Sequence, residues 1–165
     1  MTPSHLESII AFLKEIGVPV REEELSGETF LPGIRISAGT LVYDRTRLKW
    51  PGDLLHEAGH LAVTPANRRH ALDDRLSAEQ EAADAGETEA IAWSFAAAIH
   101  LALPLAELFH HEGYRGYAQQ LIFSFSLGVY PGSAGLARAG LAALGSDATA
   151  RGVPPYPYML RWLRE

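Results

Sequence analysis

Between Ala90 and Ala106 the sequence carries no Asp, Glu, Lys or Arg. Whatever fold the chain adopts must keep that stretch out of water. Its alanines, with Trp93, Phe95, Ile99 and Leu101, make a helix that is apolar all round. Such a helix either crosses a bilayer or lies at the centre of a core. The run is near the lower end of the about 17–25 residues that span a membrane. Ser94, His100 and Pro104, and alanine where a spanning helix would use leucine, favour burial in protein, so no membrane association is expected. The rest of the chain must then wall the helix in. With 165 residues, 47% of them apolar and 21% charged, it has the material to do so, and one domain over residues 1–165 is expected.

The composition removes several function classes. There is no cysteine, which excludes disulfides, thiolate metal sites, iron–sulfur clusters and cysteine nucleophiles. Any metal must be held by His, Asp or Glu. The formal charge is −6, and the basic residues are scattered, with Arg68-Arg69 the sole adjacent pair. A nucleic-acid partner is therefore not expected, because phosphates demand a basic footprint. The first residues, Met1-Thr-Pro-Ser-His-Leu-Glu, lack the basic-then-apolar order of a secretory signal, and a cytoplasmic location is expected.

Read for periodicity, residues 4–16 place Leu6, Ile9, Ile10, Leu13 and Ile16 at helical spacing, closed by Gly17 and Pro19. The acidic stretch from Arg21 to Glu28 reads as solvated. Residues 33–44 alternate about the turn Ser37-Ala38-Gly39-Thr40 and predict a hairpin. Pro51-Gly52-Asp53 introduces a helix over Leu54–Val63, with Asp53 placed as its N-cap. Residues 66–80 are polar and loop-like. A long helix then starts near Ser77 or Glu87 and runs to about Leu103. Beyond it the pattern predicts short helices broken at Gly113, at Gly128–Pro131, at Gly145 and at Pro154–Pro157, and a closing aromatic tail that docks on the core.

The chemistry concentrates in Leu54-Leu55-His56-Glu57-Ala58-Gly59-His60-Leu61. Residues four apart sit one turn above each other on a helix, so both imidazoles can aim a ring nitrogen at one point. Zinc needs such donors at about 2.0–2.1 Å. Glu57 lies about 100° around the helix from His56, where it flanks the ion without ligating it. Zinc brings the pKa of a bound water toward about 7, and a carboxylate in that position can take its proton. Gly59 inside the helix costs about 1 kcal/mol relative to alanine. A close approach by another element would explain its presence.

A catalytic zinc wants a third protein ligand and an open position. His70 is a candidate only if its loop folds back. The second helix, beginning Glu87-Thr88-Glu89-Ala90, is the better source. Its two glutamates lie about 200° apart on a helix, so only one of them can face the metal. Glu89 shares its face with Ala92, Trp93 and Ala96, and Glu87 shares its face with Ile91 and Ser94.

These elements resemble the gluzincin branch of zinc metallopeptidases, and within it the small ImmA/IrrE-type peptidase domains. The similarity lies in His56-Glu57-Ala58-Gly59-His60, Glu87-Thr88-Glu89-Ala90, Phe95-Ala96-Ala97 and Leu101-Ala-Leu-Pro104, and spans residues 33–104. It implies an α+β zincin-like domain in which a small antiparallel sheet or hairpin lies beside a mainly helical body, with the metal between two helices. It further implies His56, His60 and Glu89 as zinc ligands, Glu57 as catalytic base, and zinc-dependent hydrolysis of a peptide or protein substrate. The chain departs from the pattern at Ile91, where the family often has Asn. Its Phe-Ala pair also falls two residues late, with Trp93 at the usual aromatic position. The register of the third ligand therefore stays open between Glu89 and Glu87.

A second donor to the oxyanion would come from His110, His111, Tyr114, Tyr117, Tyr130, Tyr156 or Tyr158. Besides capping, Asp53 could orient a ligand from behind. Asp73-Asp74 and Asp84 read as solvated loop carboxylates, and the strand around Thr40–Asp44 as an edge along which an extended substrate could pair. Two other functions fit the same sequence: a noncatalytic metal-binding regulatory or scaffold protein, and a helical interaction domain with no metal.

Overall fold

A computed structural model describes residues 4–74 and 86–165 of the chain. Among these residues the fold is mixed α+β, with eight α-helices and a three-stranded sheet. Helix α1 spans His5–Glu15 and is capped by Ser4, whose side chain accepts a hydrogen bond from the Glu7 amide. The sheet follows, with β1 Val20–Glu22, β2 Ile34–Ser37 and β3 Thr40–Tyr43. Next come α2 Asp53–Val63 and the single turn α3 Ala66–Arg69. The central helix α4 is Glu87–His100. Four short helices complete the body: α5 Leu105–Leu108, α6 Ala118–Ser126, α7 Ser133–Arg138 and α8 Gly145–Arg151.

The predicted hairpin is present, β2 pairing antiparallel with β3 so that Ile36 faces Leu41. Ala38 and Gly39 both take positive φ at its tip, the backbone that lets a two-residue turn follow the strand twist. Two expectations need correction. The acidic stretch is not wholly solvated loop: Val20–Glu22 pairs with β3 in parallel, so the sheet is mixed and not purely antiparallel. The strand order β1-β3-β2 also puts β3 in the middle. The 40–44 strand cannot accept a substrate strand, because both of its edges are already paired. The outer edge of β2 is covered differently. The Ile36 amide donates to Asp74 Oδ1 at 2.7 Å, and the Ala38 amide to Asp73 Oδ1 at 2.8 Å. Those aspartates are therefore edge caps for the sheet rather than free surface charges. Asp84 and Ser77 lie outside the described residues.

Helix α4 is the buried centre that its composition demanded, with Trp93, Ala92 and Ala97 inaccessible to solvent. It ends at His100, three residues before the expected Leu103. Ala102 takes a positive φ there, and the Leu103 and Ala102 amides bond back to Ala98 and Ile99. The 66–80 stretch, expected as loop, contains the turn of α3. No helix among the described residues is long and apolar enough to cross a membrane. The C-terminal tail docks as expected: the Trp93 indole donates to the Trp162 carbonyl at 2.8 Å, and Tyr156 donates to the Ala92 carbonyl at 2.8 Å.

Gly59 accounts for the intimacy of α2 and α4. A Cβ built there would lie 2.7 Å from the Ala90 carbonyl oxygen and 3.2 Å from the Ala90 Cα. Backbone meets backbone, and neither can step aside without moving a helix. Gly59→Ala should therefore destabilise the protein by about 1–3 kcal/mol, the usual range for overpacking, despite alanine's better helix propensity. Urea unfolding of the two proteins measures this. A variant as stable as the parent would mean that the helices are not in contact at this point.

Candidate metal centre

Helix α2 is buried along nearly its whole length, and it is held firmly at its C-terminal end. The last four carbonyls of a helix lack partners within it. Here each finds one. The His60 carbonyl accepts from Thr64 Oγ1 at 2.7 Å, and that of Leu61 from Arg69 Nε at 2.8 Å. The Ala62 carbonyl accepts from the Arg164 amide at 2.9 Å, and that of Val63 from Arg164 Nη1 at 3.3 Å. At the other end Gly52, not Asp53, occupies the cap position, with no side-chain cap bond. The Asp53 carboxylate turns instead to His110, with Oδ1 2.7 Å from Nε2, both groups buried. Trp50 stacks flat on that imidazole at 4.5 Å. Burial pushes Asp53 above the usual carboxylate value, and the His110 contact acts in the opposite direction.

His56, Glu57 and His60 are 7%, 5% and 8% exposed, dry enough for a cation to feel their full field. Each offers a donor atom within 4.8 Å of the others, so together they could hold a metal ion. The two Nε2 atoms are 3.3 Å apart. Glu87 closes the group: its Oε1 is 3.4 Å from His56 Nε2, and its Oε2 is 3.1 Å from His60 Nε2. Donors about 2.0–2.1 Å from a tetrahedral centre are separated by about 3.3–3.4 Å along each edge. The nitrogens and the carboxylate stand at that spacing. Glu87 Oε2 is nevertheless buried without a well-formed hydrogen bond, since the His60 contact has the distance but not the angles. Burial, and then the neighbouring His60, push the His56 imidazole down to about 4, so at neutral pH it is the uncharged form with a free lone pair. Burial raises Glu87, but the approach of His60 and the charges of His56, His60 and Arg115 outweigh it and hold the carboxyl below its usual value.

The carboxylate at the histidine pair is thus that of Glu87 and not that of Glu89. Gly59 brings the Ala90 backbone against α2, and Glu87, three residues earlier, is on that same face of α4. Glu89 is turned toward α7. A Cβ on Gly135 would strike its Oε1 at 2.1 Å, and one on Gly132 would strike the Thr88 carbonyl at 1.9 Å.

Among the proposed oxyanion donors, the structure brings Tyr114 to the site. Its ring meets the His56 ring edge-on at 5.4 Å, and its hydroxyl is buried with no hydrogen bond of good geometry. Burial, then the charges of Asp53, Glu87 and Glu57, raise its pKa well above the ordinary phenol value, so the hydroxyl stays a donor. Tyr114 and Arg115 take consecutive positive φ values, 56° and 51°, a strained backbone for residues other than glycine. The remaining candidates are committed or remote. His110 is tied to Asp53, and Tyr156 to the Ala92 carbonyl. Tyr130 packs among Phe95, Phe125 and Tyr156. His111, Tyr117 and Tyr158 are exposed, as is His70 in its turn.

No protein-family model, curated protein or solved structure matches this chain. What the molecule does must be read from this centre.

Proposed function

We propose that the chain is a zinc-dependent peptidase of zincin-like architecture, with His56, His60 and Glu87 holding the ion and Glu57 acting as general base. The observation that carries this reading is the spacing of three donors, 3.1–3.4 Å, on two helices locked together at Gly59. Zinc bound there would act as a Lewis acid toward water and the scissile carbonyl. The protein's own contribution is positional. Glu57, buried beside His56 on α2, takes a proton from the attacking water and returns it to the leaving amine. The Tyr114 hydroxyl, buried and protonated, donates to the oxygen that gains negative charge. The buried surroundings strengthen both interactions by excluding bulk water.

Protein purified without chelators should carry about one zinc per chain, as a three-donor site of this kind requires. A chelator should remove the zinc and abolish cleavage of a mixed peptide library, and added zinc should restore cleavage. Elemental analysis and mass spectrometry of the digests read the two outcomes. A chain that binds zinc yet cleaves nothing would be the noncatalytic metal-binding protein that the sequence also allows. A chain that binds no metal would refute both.

A further inference from the structure

Two cavities flank the candidate centre, and they differ in chemistry. The first, of about 650 Å³, opens on the His56 side; the second, of about 440 Å³, opens on the His60 side; and Glu87 borders both. The walls of the first are Phe30, Leu31, Ile91, Tyr114, Tyr117 and Leu121. Its acidic members are already engaged, Asp53 with His110 and Glu112 with Lys49 at 2.7 Å, and Arg115 stands exposed at the rim. Phe30 and Tyr117 are 61% and 63% exposed, a large apolar area with no partner among the described residues at the mouth of an apolar cavity.

The second cavity is bordered by Arg68, Arg138 and Arg164. None of the three has an acidic partner among the described residues, although Arg164 is anchored through the Val63 carbonyl. Glu89 is the opposing carboxylate on this side, since Glu87 is committed to the histidine pair. Among the described residues the local excess is therefore two positive charges, in a protein whose formal charge is −6. A cationic concavity on an acidic protein attracts an anion and repels other cations.

The geometry points to a polypeptide substrate that carries a large apolar side chain on the His56 side of the scissile bond and a carboxylate on the His60 side. This rests on the peptidase reading and adds the substrate class to it. The carboxylate comes from an Asp or Glu side chain or from a free C-terminus; both present the same planar anion to guanidinium groups.

The test uses Glu57→Gln protein loaded with zinc, so that peptides bind without being consumed, and fluorescence anisotropy of labelled peptides. Probes carry Phe and Glu separated by two alanines, in both chain orders, with Phe→Ser and Glu→Lys counterparts. A further pair ends at the second alanine with a free or an amidated C-terminus. One order, or the free C-terminus, should bind about tenfold tighter than its Glu→Lys or amidated counterpart, the scale of one to two exposed charge contacts. Arg68→Glu with Arg138→Glu should erase that difference and leave the Phe preference in place. If neither order nor the free C-terminus responds to charge, or the double reversal changes nothing, the inference fails. Parallel digestion by the wild type separates the two ideas. Cleavage with no preference at either side sinks the substrate class and leaves the peptidase. Selective binding with no cleavage leaves a peptide-binding site and sinks the peptidase.

Discussion

Glu57→Gln should leave zinc content and folding unchanged and lower peptide hydrolysis by a factor on the order of 10² or more. That factor is the usual contribution of a positioned acid–base group. The substitution keeps the side chain's size and one acceptor oxygen, so it removes basicity and little else. Glu57 lies within α2, buried at 5% exposure, and offers an oxygen within 4.8 Å of both histidine donors. Residual activity near that of the wild type would show that another group takes the proton. Zinc loss in the same variant would show that Glu57 is a ligand, and would return the third-ligand question to α2.

The second large effect concerns the glutamates of α4. Glu87→Ala should weaken zinc binding by more than about 100-fold, beyond the 10–100-fold typical of losing a group behind a ligand. Glu89→Ala should alter zinc binding little, because its carboxylate faces α7. Competition with a zinc-binding dye measures both. The reverse order would place the α4 register two residues away from the one described. His60→Ala sets the scale, as it removes a member of the buried His56-Glu57-His60 group and should lose most of the metal.

The pair Glu87 and Glu89 also shows where legibility ended. Helical periodicity establishes that only one of them can face the histidines, but it does not say which. The resemblance to a family favoured Glu89, through a two-residue register that Trp93 and the late Phe-Ala pair already disturbed. One signal in the sequence did point the other way. Gly59 asks for a close neighbour, and a small residue one turn after Glu87, Ala90, can supply it. That inference needed the knowledge that it is Ala90 that meets Gly59.

The partners of Asp53, Asp73 and Asp74 are illegible in the sequence for a related reason. Each has the local setting of a cap or a loop charge, and each is claimed by a group far along the chain. Asp53 is 57 residues from His110, and Asp74 is 38 residues from Ile36. Tyr114 is one of seven candidate donors in the sequence, and its ring contact with His56 is what sets it apart.

The sequence by itself determined the parts that depend on neighbours along the chain. It set a helix that must be buried from Ala90 onward, a hairpin about Ala38-Gly39, and two imidazoles and a carboxylate aimed from one helix by its 3.6-residue repeat. Only the tertiary structure decided which glutamate meets them, which strand is central, and which phenol and which arginines surround the site. Periodicity fixes directions about an element's own axis. The rotation of one helix against another is set by side-chain volumes and backbone contacts between residues distant in sequence, and here that rotation is settled where Gly59 meets Ala90.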